Sequence, residues 1–156
     1  MWLINTRTLD LQFFQSSEGL HYAILSHTWG DDEVSFQEMG ARGQNGLQKA
    51  GWAKITKTCD IARDSFELDY AWVDTCCIDK SSSSELSEAI NSMFSWYKTA
   101  AVCVVYLEDL ELISDKACKP GSTGFPDRLG ACRWFSRGWT LHELIAPSEM
   151  VFCDRD

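Results

Sequence analysis

No stretch of this chain approaches the ~20 apolar residues that a membrane-spanning helix needs. Met1–Arg7 has no basic start running into an apolar segment, so no secretory signal is read there. There is no long basic run. With 14 Lys and Arg against 23 Asp and Glu, the net charge is −9, which disfavours nucleic acid or an anionic membrane as a partner. The cysteines at 59, 76, 77, 103, 118, 132 and 153 form no C-x-x-C pair, so zinc ligation is not expected. Their odd count and the missing signal point to reduced, mostly buried thiols in a cytoplasmic protein. Also missing are the G-x-G-x-x-G of a Rossmann dinucleotide site and the lysine-bearing phosphate loop.

What is present fits one domain of 156 residues with enough apolar side chains, 45%, to fill a core. Residues 1–15 read as a short hairpin or edge strand turning at Asn5-Thr6-Arg7. Tyr22–Ser26 is the first core strand and runs into the polar loop His27–Asp32. Residues 40–51 carry four glycines (40, 43, 46, 51) and read as a flexible connection. Trp52, Ile55, Cys59, Ala62 and Phe66 then recur at helical spacing. Tyr70–Asp74 is the second core strand. Serines 81–84 lead into a helix with capping-box character at Ser82 and Glu85, whose buried stripe is expected to be Leu86, Ala89, Ile90, Met93, Phe94 and Tyr97. Ala101–Leu107 is apolar throughout, as suits a parallel strand covered on both faces. Residues 108–131 read as a long surface excursion. A short helix over 139–146, stopped by Pro147, precedes a last strand at Met150–Cys153.

Strands and helices in alternation argue for an α/β fold with a parallel sheet. Ligands of such sheets sit at the carboxyl ends of the strands. The polar segments 26–32, 74–80 and 108 onward should therefore share one sheet edge. The chain stops just after a strand, and it is expected to be the front part of a longer protein.

Three motifs carry candidate chemistry. Ser26-His27-Thr28-Trp29-Gly30-Asp31-Asp32 offers a hydroxyl, an imidazole and an indole on one loop, either to contact a nucleotide or as a packed strand-to-helix connection. Asp74–Lys80 puts two acids and two thiols at a strand end. A nucleophilic Cys77 with His27 as base is one reading. The plainer one is buried small residues with Asp79 as a turn cap, because a reactive thiol needs an electropositive setting and these neighbours are acids. Trp139 and Glu143 are four apart, which on a helix puts an indole and a carboxylate on one face. His142 is rotated about 100° from Glu143.

Taken together, Tyr22–Gly30, Ala71–Lys80 with Glu85–Met93, and Arg133–Pro147 resemble the heterokaryon incompatibility (HET) domain of fungal non-self recognition proteins. The opening Leu3-Ile4-Asn5-Thr6 is also similar to the start of such domains. A remoter resemblance is to TIR domains, carried by Ser26–Asp32, Ala89–Ser92, Val102–Tyr106 and Trp139–Leu144, with Thr140 where many TIR domains have Cys. That resemblance implies a TIR-like, flavodoxin-like three-layer α/β fold with helices on both faces. It also implies cleavage of NAD, as substrate and not cofactor, with Glu143 catalytic and Trp139 beside the nicotinamide. The candidate substrate-binding set is Ser26, His27, Thr28, Trp29, Asp74, Cys77, Asp79, Arg137 and Trp139. Self-association and a downstream regulatory domain are the partners the resemblance implies. A non-catalytic self-associating module is the competing expectation.

Overall fold

The protein is described by a computed structural model covering residues 1–40, 48–110, 130–138 and 140–155. The middle of the glycine-bearing connection, most of the 108–131 excursion and Trp139 lie outside the described residues. The elements in order are β1 (Trp2–Asn5), β2 (Leu11–Phe13), β3 (Ala23–His27), α1 (Phe36–Gly40), α2 (Ala50–Phe66), β4 (Tyr70–Trp72), α3 (Ser83–Thr99), β5 (Val102–Tyr106), a 3₁₀ turn (Arg133–Ser136), α4 (Thr140–Ile145) and β6 (Met150–Cys153).

The six strands form one sheet in the order β2-β1-β4-β3-β5-β6. β3 pairs in parallel with β4 and β5, and β5 with β6, while β1 is antiparallel to β2 and β4. The expected hairpin at the amino terminus is thus the antiparallel edge of a mostly parallel sheet. Its turn forms because the Asn5 side-chain carbonyl accepts from the backbone N–H groups of Arg7 and Thr8, at 3.0 and 3.1 Å.

From β3 the chain crosses through α2 to β4 on one side, then returns through α3 to β5 on the other. Right-handed crossovers in opposite directions put α2 and α3 on opposite faces. Every residue of β3 and β5 is buried, as their apolar runs require. Trp72 of β4 is fully buried and meets Trp96 and Tyr97 of α3 edge-on, at 5.4 and 6.2 Å between ring centres. On the other face Ile55, Cys59 and Ala62 of α2 pack into the same core. Among the described residues six cysteines are free, and all but Cys153 are buried. No described helix is long and apolar enough to cross a membrane.

Two expectations about α3 need correction. Ser82 caps the helix by accepting from Glu85 N–H at 3.4 Å, but the box does not close. The Ser82 N–H already donates to Asp79 O at 3.1 Å, so the Glu85 carboxylate accepts from Asp79 N–H instead, at 3.0 Å. The expected stripe is also not buried as a whole. Ala89 and Tyr97 are buried, joined by Trp96, but Ile90 and Phe94 are 50% and 46% exposed, with Leu86 and Met93 half-buried. Leu86, Ile90 and Met93 of α3 instead face an open cavity.

Candidate active site

β3 ends in two buried polar residues, Ser26 and His27, where an apolar strand would have been the stable choice. Buried polar groups persist when they are bonded, and both are. The Ser26 hydroxyl donates to Glu143 Oε2 in a very short contact and accepts from the indole N–H of Trp134 at 2.6 Å. Trp134 is fully buried in the 3₁₀ turn. The Thr140 hydroxyl donates to its carbonyl at 2.6 Å, fixing the start of α4 against that turn. Glu143, one turn on, is 5% exposed. Arg137 closes a two-pronged pair on it, Nη1 to Oε2 at 3.3 Å and Nη2 to Oε1 at 3.2 Å.

His27 belongs to a second chain of contacts. Its Nε2 lies 3.0 Å from Asp74 Oδ1, and the Trp29 indole N–H donates to Asp74 Oδ2 at 2.9 Å. Burial pushes the Asp74 carboxyl up, but the bonds from His27 and Trp29 outweigh it and hold the group below the usual carboxylate range. The other ring nitrogen, Nδ1, is 3.8 Å from Glu33 Oε1 and has no hydrogen-bond partner among the described residues. Glu33 in turn accepts from the buried Lys54 ammonium at 2.6 Å, and Lys54 also donates to Thr28 O at 3.0 Å. Glycine is required at 51 for this: a Cβ there would come within 2.7 Å of Glu33 Oε2 and 2.9 Å of its Cα.

These two clusters meet at a cavity of about 450 Å³, a size suited to a small-molecule site. Its polar wall is Thr28, Asp74, Lys80, Arg137 and Glu143. Its apolar wall is Ile78 with Leu86, Ile90 and Met93 of α3, and Trp29 stands at its rim, half exposed. The Lys80 ammonium lies 4.1 Å over the Trp29 ring, so the indole already holds a cation.

Of the sequence-derived candidates, Thr28, Trp29, Asp74, Arg137 and Glu143 line the cavity, and Ser26 and His27 stand behind them holding Glu143 and Asp74. Asp79 is turned to Ser81 and Gln37, accepting at 2.6 to 3.0 Å, and caps the turn before α3. Cys77 is 2% exposed, its sulfur accepting from Val73 N–H at 3.4 Å, and it edges a different depression beside Met1 and Trp96. Neither lines the cavity. Cys76 beside it is pushed well up by its bond to Cys77 and by burial. Trp139 is outside the described residues. Among the described residues no group of three or more His, Cys, Asp or Glu side chains is placed to hold a metal.

Sequence reasoning missed Trp134, Glu33 and Lys54. Trp134 sat in a block of resemblance with no role assigned, and its signal was only that an indole needs a partner when buried. Glu33 and Lys54 are 21 residues apart, and nothing in local spacing links them.

No solved structure matches the chain. It is 48% identical over 136 residues to the vegetative incompatibility protein HET-E-1 of Podospora anserina, a match covering 86% of this chain and 10% of that protein. The chain therefore corresponds to about a tenth of that relative's length. Residues 22–122 match the family described as heterokaryon incompatibility protein (HET). With both results on a chain that carries Tyr22–Gly30 and Ala71–Lys80 intact, the protein belongs to the heterokaryon incompatibility (HET) family.

Proposed function

We propose that this chain is the effector domain of an incompatibility protein acting in fungal allorecognition and cell death, and that it cleaves NAD at the nicotinamide–ribose bond. The observation that carries the reading is the meeting of Glu143 with Ser26, 117 residues away, at one wall of a cavity that also holds Arg137, Asp74 and an indole.

The chemistry asks for little more. The bond between the nicotinamide nitrogen and ribose C1′ breaks, and its electron pair neutralises the cationic ring, so no strong general acid is needed. Positive charge develops at C1′ as an oxocarbenium ion. Glu143, held by Ser26 and Arg137 with no freedom to turn away, is a fixed negative group for that charge. Water adds to C1′ and its proton leaves to Glu143 or solvent, giving nicotinamide and ADP-ribose. Asp74 is a ready acceptor for ribose hydroxyls, and the apolar wall of α3 supports a flat ring.

The test is to incubate concentrated protein with NAD and measure free nicotinamide. Wild type should release it and Glu143→Ala should not. No release by wild type, even with oligomerisation forced by a fused assembly tag, would falsify the reading. Loss in Cys77→Ala but not in Glu143→Ala would point to thiol chemistry instead.

One observation favours assembly as the function. Leu141, Leu144 and Ile145 of α4 are 61%, 42% and 63% exposed beside Phe94 of α3, an apolar face suited to self-association. Leu141→Lys should abolish concentration-dependent association in sedimentation if that face is used. Association without any NAD cleavage would leave an interaction module.

A further inference from the structure

A second depression, of about 630 Å³, adjoins the same tryptophan. It is built from the segments leaving β3 (Trp29, Gly30, Asp31), β5 (Glu108, Asp109, Leu110) and β6 (Arg155), with Arg133 at the start of the 3₁₀ turn. β3 and β5 are where this sheet reverses its direction of winding, the crevice in which open α/β folds take nucleotides.

The side chains divide by the parts of a nucleotide. Trp29 offers a ring face for stacking. Arg133 and Arg155 are 61% and 68% exposed and pair only loosely, with Glu108 at 3.5 and 3.7 Å and, for Arg133, also with Asp109 at 3.5 Å. Exposed pairs of that length hold little energy, so a phosphate of higher charge competes well for both guanidinium groups. Asp31 is a carboxylate within the same depression, of the kind that accepts ribose hydroxyls, while Asp109 Oδ2 accepts from the Arg133 backbone N–H at 2.9 Å. Arg133 and Arg155 are the two guanidinium groups of a lining that also carries the carboxylates of Asp31, Glu108 and Asp109.

We propose that this depression binds the second nucleotide of the dinucleotide substrate, with Arg133 and Arg155 holding its phosphate and Trp29 its base. The substrate then lies across the carboxyl ends of β3 and β5, its nicotinamide half against α3 and Glu143 and its other half over β5 and β6. The inference rests on the NAD-cleaving reading but has its own readout.

The experiment titrates AMP into wild type and the Arg133→Ala/Arg155→Ala double variant, following tryptophan fluorescence and calorimetric heat. Wild type should bind AMP, and the double variant should bind it about tenfold more weakly. Arg133→Lys/Arg155→Lys, which keeps the charge, should recover part of the loss. In the kinetic arm, the preference of the enzyme for NAD over nicotinamide riboside should shrink by about tenfold in the alanine variant. Absence of AMP binding by wild type overturns the proposal, as does an unchanged NAD preference in a variant that still cleaves. Failure of wild type to release nicotinamide from NAD sinks the proposed function instead, and AMP binding then still decides whether the depression is a nucleotide site.

Discussion

α2 and α3 are both 17-residue helices with apolar residues at helical spacing, one on each face of the same sheet, yet they serve different ends. α2 buries a continuous strip from Gly51 to Ala62 and even takes Lys54 out of water. α3 buries only Ala89, Trp96 and Tyr97, and leaves Ile90 and Phe94 about half exposed. The same periodicity is core on one helix and cavity wall on the other. What separates them is the layer opposite. α2 lies over β3, β4 and β5, whereas the outer turns of α3 face Arg137 and Glu143 of a short, late segment that leaves room between. An amphipathic pattern says which face of a helix is apolar, and not whether protein or ligand covers it.

The largest expected change in stability is on the α2 side. Lys54→Ala leaves Glu33 poorly paired next to His27, and should cost about 3 kcal/mol in urea unfolding. A loss below about 1 kcal/mol would mean that Glu33 turns to solvent easily. Next, Ile55→Ala on α2 should cost about 3 kcal/mol, as a cavity in a closed core does. The matching change on α3, Ile90→Ala, should cost less than about 1 kcal/mol, because that side chain is already half in water. The same variant should raise the KM for NAD about fivefold, the loss expected for removing apolar contact from a ligand. Equal destabilisation by both alanines would erase the distinction between the helices.

The smallest effect concerns acid. The folded-state pKa of Asp74 is depressed, so its stabilising contribution is complete above the ordinary carboxylate value of about 3.9 and is lost as pH falls through the lower folded value. Unfolding of wild type measured below about pH 4 should show that loss, and Asp74→Asn should show a shallower slope there. Slopes that superimpose would mean that His27 and Trp29 do not stabilise the ionised form.

The core strands were legible because each is a short apolar run bounded by polar turns, and their parallel pairing followed from alternation with helices. Ser26, Trp29, Asp74 and Glu143 were legible as residues at strand ends or in a block of family resemblance. Their partnership was not, because Ser26 and Glu143 bond directly across 117 residues, with Trp134 holding the one and Arg137 the other. Cys77 and Asp79 share a strand-end segment with Asp74, but the tight turn after β4 sends one inward to Val73 and the other back to Ser81. Spacing along a loop does not say which way each side chain points. α3 misled for a related reason: Ile90 and Phe94 fit the buried pattern, and only the shape of the neighbouring segment leaves them open.

Glu143, fixed by Ser26 and Arg137, is the charge on which the proposed NAD cleavage depends. The most direct measurement is the rate of nicotinamide release at saturating NAD by wild type and by Glu143→Gln, which keeps the shape and removes the charge. The rate should fall about a thousandfold, with thermal unfolding of the variant still cooperative. Equal rates for the two proteins would contradict it.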